Sequence, residues 1–342
     1  MFLIRSWEWW YSKVPLSITT VLMLLDGRQL SFAALAVVVL VVLAVCAVGN
    51  FGYAINELFD VEEDARLGRA NVAASRPAWQ MWAIVLASAL SAEVCTSVAA
   101  GVLGTLLTSL ALALPLAYSV PPVRVKERKW LGVAADALAA HVFPAILALL
   151  AVSHLILRPV AGALAIAIVV WAAATGVRGI LSHQLQTAEQ DRVAGLMTVA
   201  HRHGNARLER FVVGLVLPIE VIAFGTALVL CNGGIVLWSF VALYVALEIV
   251  KTFDGRLRVT VFRSGGQPFV PFVDEAFYKA WGPLVLAIDA ARVDLRYLVV
   301  IPAYAVLFAP HMRIERDRFR ALAATLRISR AKEPADRSNE GS

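Results

Sequence analysis

The sequence has little charge for its length: only 16% of its 342 residues are Asp, Glu, Lys or Arg, whereas 60% are hydrophobic. A soluble domain needs far more polar surface than this composition offers, and the mean hydropathy is +0.73. The composition therefore excludes an ordinary soluble protein and predicts a polytopic membrane protein. For the same reason, the length cannot be converted into a number of soluble domains.

Cysteine is also scarce. The three cysteines, Cys46, Cys95 and Cys231, all lie in apolar runs and offer neither a disulfide framework nor a zinc-site spacing, so we expect packing roles. The first thirteen residues hold three tryptophans and no small-residue cleavage site, which favours an interfacial anchor over a cleaved signal peptide. The net charge of +6 suits an anionic lipid leaflet as well as a phosphate ligand, and no nucleic-acid partner is expected.

Apolar runs approach the roughly 20 residues that a helix needs to cross a bilayer about nine times along the chain. The first run is short, and the last follows a more polar stretch. The sequence thus predicts an all-α membrane protein with crossings near residues 14–25, 30–55, 79–99, 102–118, 131–155, 159–177, 211–231, 234–250 and 298–309.

The connections after the second, fourth, sixth and eighth spans are long and basic, which places them and the N-terminus in the cytoplasm. We expect an integral protein of the bacterial inner (plasma) membrane, in contact with membrane lipids. Nine crossings would export the arginine-rich tail, so either residues 278–291 also enter the membrane or the tail is an exception. Residues 1–310 form the predicted transmembrane domain, and residues 311–342 a basic interfacial helix followed by a disordered end from 331.

Polar side chains follow the second apolar run at regular spacing. Asn56, Asp60 and Asp64 are four residues apart, and on an α-helix each step of four turns about 40° and rises about 6 Å, so they share one face. Oxygen ligands at the mouth of a membrane helix are costly to place, and they are the ligands that Mg²⁺ prefers. The pattern predicts a membrane-embedded site for a metal-bound phosphorylated substrate.

A second polar group follows the sixth span. Gln184, Thr187 and Asp191 are three and then four residues apart and share a helical face. Four spans separate the two groups, so both lie on the cytoplasmic side. The halves therefore look like parallel copies with a site between them.

These motifs resemble those of the UbiA family of intramembrane prenyltransferases. The Asn56, Asp60 and Asp64 spacing resembles the family's first aspartate-rich motif, and residues 68–71 and 75–77 look like the basic segment after it. Residues 118–128 are similar to the loop between the fourth and fifth helices, and residues 178–191 match the region of the second motif. The resemblance covers roughly residues 14–250.

The resemblance implies nine helices in two bundles around a lipid-open central cavity. It also implies Mg²⁺-dependent transfer of a prenyl group from its diphosphate to an aromatic or other hydrophobic acceptor. The implied metal ligands are Asn56, Asp60, Asp64 and Asp191. The chain departs from the family where Gln184 and Thr187 replace the usual aspartates of the second motif.

The chemistry of prenyl transfer assigns the remaining roles, because negative charge builds on the leaving diphosphate. Asp60, Asp64, Asp191, Tyr118 and Lys126 are the predicted catalytic residues. The predicted substrate-binding residues are Asn56, Arg69, Arg76, Arg124, Arg178, Gln184, Thr187, Asp136 and His141.

Asp136 and His141 lie within the fifth span and are candidates to deprotonate or orient the acceptor. Their spacing of five places them about 140° apart on an ideal helix, and a packed polar pair is the alternative. Two rival functions also remain open. One is an intramembrane terpene cyclase, and the other is a non-catalytic binder of a phosphorylated polyprenyl lipid.

Overall fold

The computed structural model describes residues 7–25, 28–193, 198–200, 205–231, 233–253, 258–260, 269–271, 274–317, 319–320 and 323. Its α-helices are α1 (Trp7–Ser12), α2 (Val14–Leu25), α3 (Phe32–Phe59), α4 (Val61–Arg66), α5 (Ala78–Ser119), α6 (Trp130–Ala137), α7 (Phe143–Leu155), α8 (Gly162–Val193), α9 (Asn205–Phe211), α10 (Leu217–Leu230), α11 (Ile235–Phe253), α12 (Gly282–Ala290) and α13 (Val300–Leu307). Two π-helical segments, Leu138–Val142 and Val212–Val216, join neighbouring helices, and a third, Asp274–Trp281, leads into α12. 3₁₀ turns occupy Ala73–Ser75, Val125–Glu127 and Leu295–Val299. Two short parallel strands, β1 (Arg258–Thr260) and β2 (Phe269–Pro271), complete the described elements.

The centre of the molecule is α2, whose twelve residues are all buried. It packs against α3, α7 and α12, and its apolar side chains belong to the largest hydrophobic core. Ser31 caps the start of α3, because its hydroxyl oxygen accepts the backbone N–H of Ala34 at 3.1 Å. The helix α3 is 28 residues long, and it contains no charged residue before Glu57. Its polar C-terminal end therefore follows a long apolar segment.

The long helix α5 folds back on itself at Gly101. This residue has φ +63° and ψ −155°, a conformation open in practice only to glycine. The hydroxyl of Ser109 donates to Glu93 Oε1 at 2.8 Å across sixteen residues, a separation that would span about 24 Å along a straight helix. The two arms, residues 78–100 and 102–119, therefore form an antiparallel pair, and two crossings there stay a prediction.

The fifth predicted span consists of α6, the π-helical segment Leu138–Val142 and α7. Small residues bring it close to α8: a Cβ on Gly176 would lie only 2.9 Å from Ala137 and 3.2 Å from His141. Such close contact lets polar side chains of the two helices interact inside the protein.

A buried carboxylate fixes the start of α11. Asp289, at the end of α12, accepts the backbone N–H groups of Gly234 at 2.8 Å and Leu237 at 3.2 Å. Arg292 donates to the same carboxylate at 3.0 and 2.9 Å. The negative charge therefore lies at the positive end of the α11 dipole and is balanced by a cation.

Among the described residues, five helices are long and apolar enough to cross a membrane, or six if a pair bent by 83° counts as one span. That pair consists of Leu295–Leu307 and Ala309–Asp317, which contains the start of the predicted interfacial tail. Residues 278–291, which the sequence left undecided, fall up to Ala290 in the π-helical segment Asp274–Trp281 and in α12, most of whose residues are buried. Nine crossings and the two-bundle repeat stay predictions, and the end of the tail from residue 324 lies outside the described residues.

Candidate active site

The first polar group stands where α3 gives way to α4. Asp60 has φ −106° and ψ 5°, so it separates two helices, whereas the sequence predicted a single helix face. The hydrogen-bond ladder still continues through it, from Asp60 N–H to Asn56 at 3.0 Å and from Asp64 N–H to Asp60 at 2.8 Å. The three side chains therefore keep helical spacing, with a local change of direction at the middle one.

The end of α4 is closed by Gly68, which adopts φ +63°. The N–H of Arg69 donates to the carbonyl of Asp64 at 2.8 Å, and the N–H of Gly68 donates to Ala65 at 3.3 Å. This pair of bonds is a Schellman motif, which satisfies helix-end carbonyls and turns the chain sharply. The turn sends the following basic segment back towards α3.

Glu57 anchors that returning segment. Its buried carboxylate accepts the backbone N–H of Val72, and its carbonyl accepts the side-chain amide of Asn71 at 3.0 Å. The same amide donates to Asp64 Oδ2 at 2.8 Å. Asn71 thus ties the loop to the third member of the polar group, a contact that the sequence analysis did not assign.

The loop between α5 and α6 brings two cations onto this group. Arg124 donates to Asp60 Oδ1 at 3.0 Å and also to Glu63, while Lys126 contacts the same two carboxylates. Asp60 is 7% exposed and the Arg124 side chain 24%, so these charges face one another in a partly buried setting. We call Asp60, Glu63, Arg124 and Lys126 the charge cluster.

Arg124 adopts a left-handed backbone conformation at φ 34°, which turns its side chain towards the helix end. Partial burial works against its charge, but the neighbouring carboxylates outweigh that effect and raise the pKa of this guanidinium. Those carboxylates belong, in order of effect, to Glu127, Glu63 and Asp60. The cluster therefore keeps a permanent positive group beside its acids.

The end of α5 contacts Asn56 of the same polar group. The hydroxyl of Ser119 donates to Asn56 Oδ1 at 2.9 Å, so the end of α5 contacts the end of α3. Tyr118 precedes Ser119 and is half-buried. The half-buried Arg76 follows the anchored loop, and its side chain has no hydrogen bond or ion pair with the described part of the chain.

The second polar group lies on α8, which runs unbroken through all three predicted positions. Gln184 is 6% exposed, and its Oε1 atom has no hydrogen-bond partner in the part of the chain that the structure describes. The Thr187 hydroxyl donates to the carbonyl of His183 in its own helix at 3.2 Å. Asp191 belongs to α8, but its side chain lies outside the described part, so the predicted contact between the two groups stays a prediction.

Arg178 occupies a different setting from the other basic candidates. It donates two hydrogen bonds to Glu220 of α10, at 2.7 and 2.9 Å, with 4% and 0% of the two side chains exposed. The sequence assigns Glu220 no role, although an arginine and a glutamate in neighbouring apolar spans are a signal for such a pair. The contacts favour a structural role for Arg178, and its role in substrate binding stays a prediction.

Asp136 and His141 lie on either side of the start of the π-helical segment Leu138–Val142. A π-turn has about five residues between hydrogen-bonded partners, so it brings positions five apart towards one side. His141 contacts Lys13 at 2.7 Å, and Lys13 also interacts electrostatically with Asp136. The two side chains therefore share a neighbour, which the ideal-helix angle of about 140° did not predict.

No group of three or more His, Cys, Asp or Glu side chains within the described ranges is close enough to hold a metal ion. The first polar group combines two aspartates with an amide oxygen from Asn56, which such a count leaves out. Its donors are all oxygen atoms, the chemistry that suits Mg²⁺. The donor types therefore fit this ion, and the cations of the charge cluster fit an anionic partner beside it.

Comparison with known proteins identifies the family. The model of the UbiA prenyltransferase family matches residues 15–260, which is most of the chain. A search of functionally curated proteins finds no match.

Solved structures share the fold. A UbiA homologue from Archaeoglobus fulgidus bound to DMAPP and Mg²⁺ has 20% identity and a TM-score of 0.59, covering 87% of this chain and 98% of that one. The same homologue bound to GPP and Mg²⁺ has 19% identity and a TM-score of 0.59, with the same coverage. The apo structure of a homologue from Aeropyrum pernix K1 has 13% identity and a TM-score of 0.55, covering 92% and 99%. The chain belongs to the UbiA prenyltransferase family.

Proposed function

We propose that this protein is an intramembrane prenyltransferase, which moves an isoprenyl group from its diphosphate to a hydrophobic acceptor in a Mg²⁺-dependent reaction. The observation that carries the proposal is the charge cluster. Carboxylates from the end of α3 and from α4 face an arginine and a lysine from the next cytoplasmic loop. Such a pairing of acids and bases is what a metal-bound diphosphate requires on its two sides.

The oxygen ligands and the two cations have separate tasks in this proposal. Asn56, Asp60 and Asp64 would hold Mg²⁺, with Asp191 contributing from α8. When bound, the ion supplies positive charge that offsets the charge building on the leaving diphosphate. Arg124 presents a planar fork to phosphate oxygens, and Lys126 a compact point charge.

Substrate binding requires the contacts within the cluster to change. Lys126 and Arg124 now donate to Asp60, so they must exchange a carboxylate oxygen for a phosphate oxygen when the diphosphate enters. The exchange keeps both cations paired with an anionic oxygen, which limits the free-energy cost of rearranging charges in a partly buried site. Arg69, Arg76 and Tyr118 border the same region and are proposed as further phosphate contacts.

Two further observations support the proposal. The first concerns α8, and the second concerns the ligands of a homologue. The buried Gln184 carbonyl oxygen has no partner among the described residues and is available to a ligand or its bound water. The A. fulgidus homologue binds DMAPP or GPP together with Mg²⁺. Apolar side chains around the site would enclose the isoprenoid and keep water from the carbocation.

The orientation and helix count extend the proposal. We infer nine crossings in two bundles around a lipid-open cavity, with the charge cluster on the cytoplasmic side of an inner membrane. A cysteine introduced at the exposed position of Glu62, in a variant without the three native cysteines, tests the cytoplasmic orientation of the charge cluster. Labelling by a membrane-impermeant reagent only in inverted vesicles supports the orientation, and labelling in intact cells contradicts it.

Diphosphate release tests the function. Purified protein is incubated with Mg²⁺ and prenyl diphosphates of graded length, with and without hydrophobic phenols, and the lipid products are identified. We expect Mg²⁺-dependent release and a product that contains both reactants. A product made from the prenyl diphosphate alone would favour the cyclase, and binding without release would favour the non-catalytic binder.

Asp60→Asn provides the variant test, because it removes the charge of a proposed metal ligand that also contacts both cations. Charge stabilisation by a metal amounts to several kcal/mol, so release should fall by about 100-fold or more. Glu62→Gln is the matched control, since Glu62 lies two residues away on α4 and is exposed. Equal activity in the two variants would refute the assignment of Asp60.

A further inference from the structure

A separate polar pair, Lys13 and His141, lies where α2 begins beside the fifth span. Lys13 Nζ and His141 Nε2 are 2.7 Å apart, a hydrogen-bond distance between two groups that both carry protons when charged. A hydrogen bond needs a lone pair, so at least one of these nitrogens is unprotonated. The protein therefore holds a neutral nitrogen base at a position where His141 is 7% exposed.

This pair faces a small cavity between α2, the fifth span and α8. Room for about one water molecule is available there, which fits a hydroxyl group better than the body of a ligand. The walls include Trp171, Thr20 and Pro144, so the polar pair sits at one side of a mainly apolar space. A hydrophobic molecule with one polar oxygen matches that lining.

Groups around the pair can influence an added positive charge. Asp136 interacts electrostatically with Lys13 and with His183 of α8, although burial works against its own charged form. Asp136 and His141 both interact with Lys13 although five residues separate them, and the π-helical segment begins between them. A proton taken up by the pair would break the hydrogen bond between the two nitrogens, and an ionised Asp136 would partly neutralise the added charge.

We propose that the Lys13–His141 pair receives the proton that a hydroxyl-bearing hydrophobic acceptor loses when it is prenylated. This inference rests on the proposed prenyl transfer. The bond between prenyl C1 and the diphosphate oxygen breaks, and its electron pair leaves with the diphosphate. A new bond forms between C1 and the acceptor's hydroxyl oxygen. The O–H bond breaks, its electron pair stays on the oxygen, and the proton passes to the pair, directly or through one water.

The test uses a hydrophobic nitrophenol, whose phenolate absorbs visible light, at a pH where the free phenol is protonated. We expect the wild-type protein to bind it as phenolate. His141→Ala should lose at least about 90% of that absorbance, and imidazole added in solution should restore part of it, because it refills the space with the same base. Lys13→Met is a second variant in which we expect the phenolate signal to fall.

His154→Ala is the matched control, because His154 lies at the far end of the same span and is exposed. It should bind the probe as the wild type does. Binding of the neutral phenol by the wild type, or an unchanged phenolate signal in His141→Ala, would overturn the proposal. Loss of the signal in His154→Ala as well would also count against it, since the effect would then not depend on the pair.

Prenyl transfer is measured separately on the same variants. General acid–base groups contribute about 10²- to 10⁴-fold, so His141→Ala should slow transfer by that order while binding of geranyl diphosphate is retained. A protein that ionises the probe but releases no diphosphate would refute the proposed function, and the pair would then be only a base that binds phenolate. Diphosphate release without any probe ionisation would overturn this inference and leave the proposed function standing.

Discussion

The buried ion pair between α8 and α10 gives the sharpest prediction about the role of Arg178. The guanidinium and Glu220 make two hydrogen bonds at 2.7 and 2.9 Å with almost no solvent contact. Removing one partner of such a pair leaves a buried charge uncompensated, which costs about 3–5 kcal/mol. Removing both in favour of apolar side chains of similar volume is often neutral or stabilising.

A double-mutant cycle measures this coupling. The variants are Arg178→Met, Glu220→Met and the double variant, each followed by thermal unfolding in detergent and by diphosphate release. We expect both single variants to unfold at clearly lower temperature and the double variant to recover most of the loss. If the pair is structural, the double variant also keeps most of its activity.

Two other results would show whether the assigned role of Arg178 or the estimated energy of the pair is wrong. A double variant that is stable but inactive would return Arg178 to the substrate site, as the sequence predicted. Single variants as stable as the wild type would show that the pair is not tightly buried and would refute the energetic reasoning. Glu62→Gln, on the exposed side of α4, serves as the control for both assays.

Three further predictions concern single positions. Gly101→Ala should lower the thermal unfolding midpoint in detergent, because a side chain at φ +63° costs at least about 1–2 kcal/mol; an unchanged midpoint would show that the turn between the arms of α5 relaxes. Lys126→Met should raise the KM for prenyl diphosphate about tenfold or more. Arg128→Met should leave the KM within twofold, because among the described residues the Arg128 side chain bonds only to the carbonyl of Pro122, at 3.1 Å. Thr187→Asp, which restores a family carboxylate, should preserve or raise diphosphate release; an inactive but folded variant would show that the threonine has a role of its own.

The sequence predicted the local order of the first polar group well, because helical spacing depends only on neighbouring residues. Asn56, Asp60 and Asp64 follow an uncharged helix and keep their ladder of hydrogen bonds. The break at Asp60 was not predicted. The partners of these side chains lie in distant segments, and no local pattern identifies Ser119 as the donor to Asn56.

The loop between α5 and α6, which carries Arg124 and Lys126, also shows which features the sequence predicts and which it does not. Its composition predicted phosphate contacts for Arg124 and Lys126, and the structure brings both onto Asp60. The sequence missed Glu63, which shares those cations. Its position one residue before Asp64, on the helix that carries the motif, was the available signal.

The fifth span shows where an ideal helix misleads. A regular α-helix separates Asp136 from His141 by about 140°, whereas the π-helical segment between them changes that angle. A π-turn has no reliable sequence signature, so the interaction of both side chains with Lys13 emerges only from the three-dimensional structure. Lys13 itself was visible as a lone lysine at the start of an uncharged run.

The most direct test of the account places Mn²⁺ in the Mg²⁺ position and measures its coupling to phosphorus by pulsed electron paramagnetic resonance. With geranyl diphosphate bound, we expect a ³¹P coupling in the wild type and in Glu62→Gln, and its loss in Asp60→Asn and Asp64→Asn. A metal that binds equally well in all four proteins, or that shows no coupling to phosphorus in the wild type, would contradict a joint metal and diphosphate site at the end of α3.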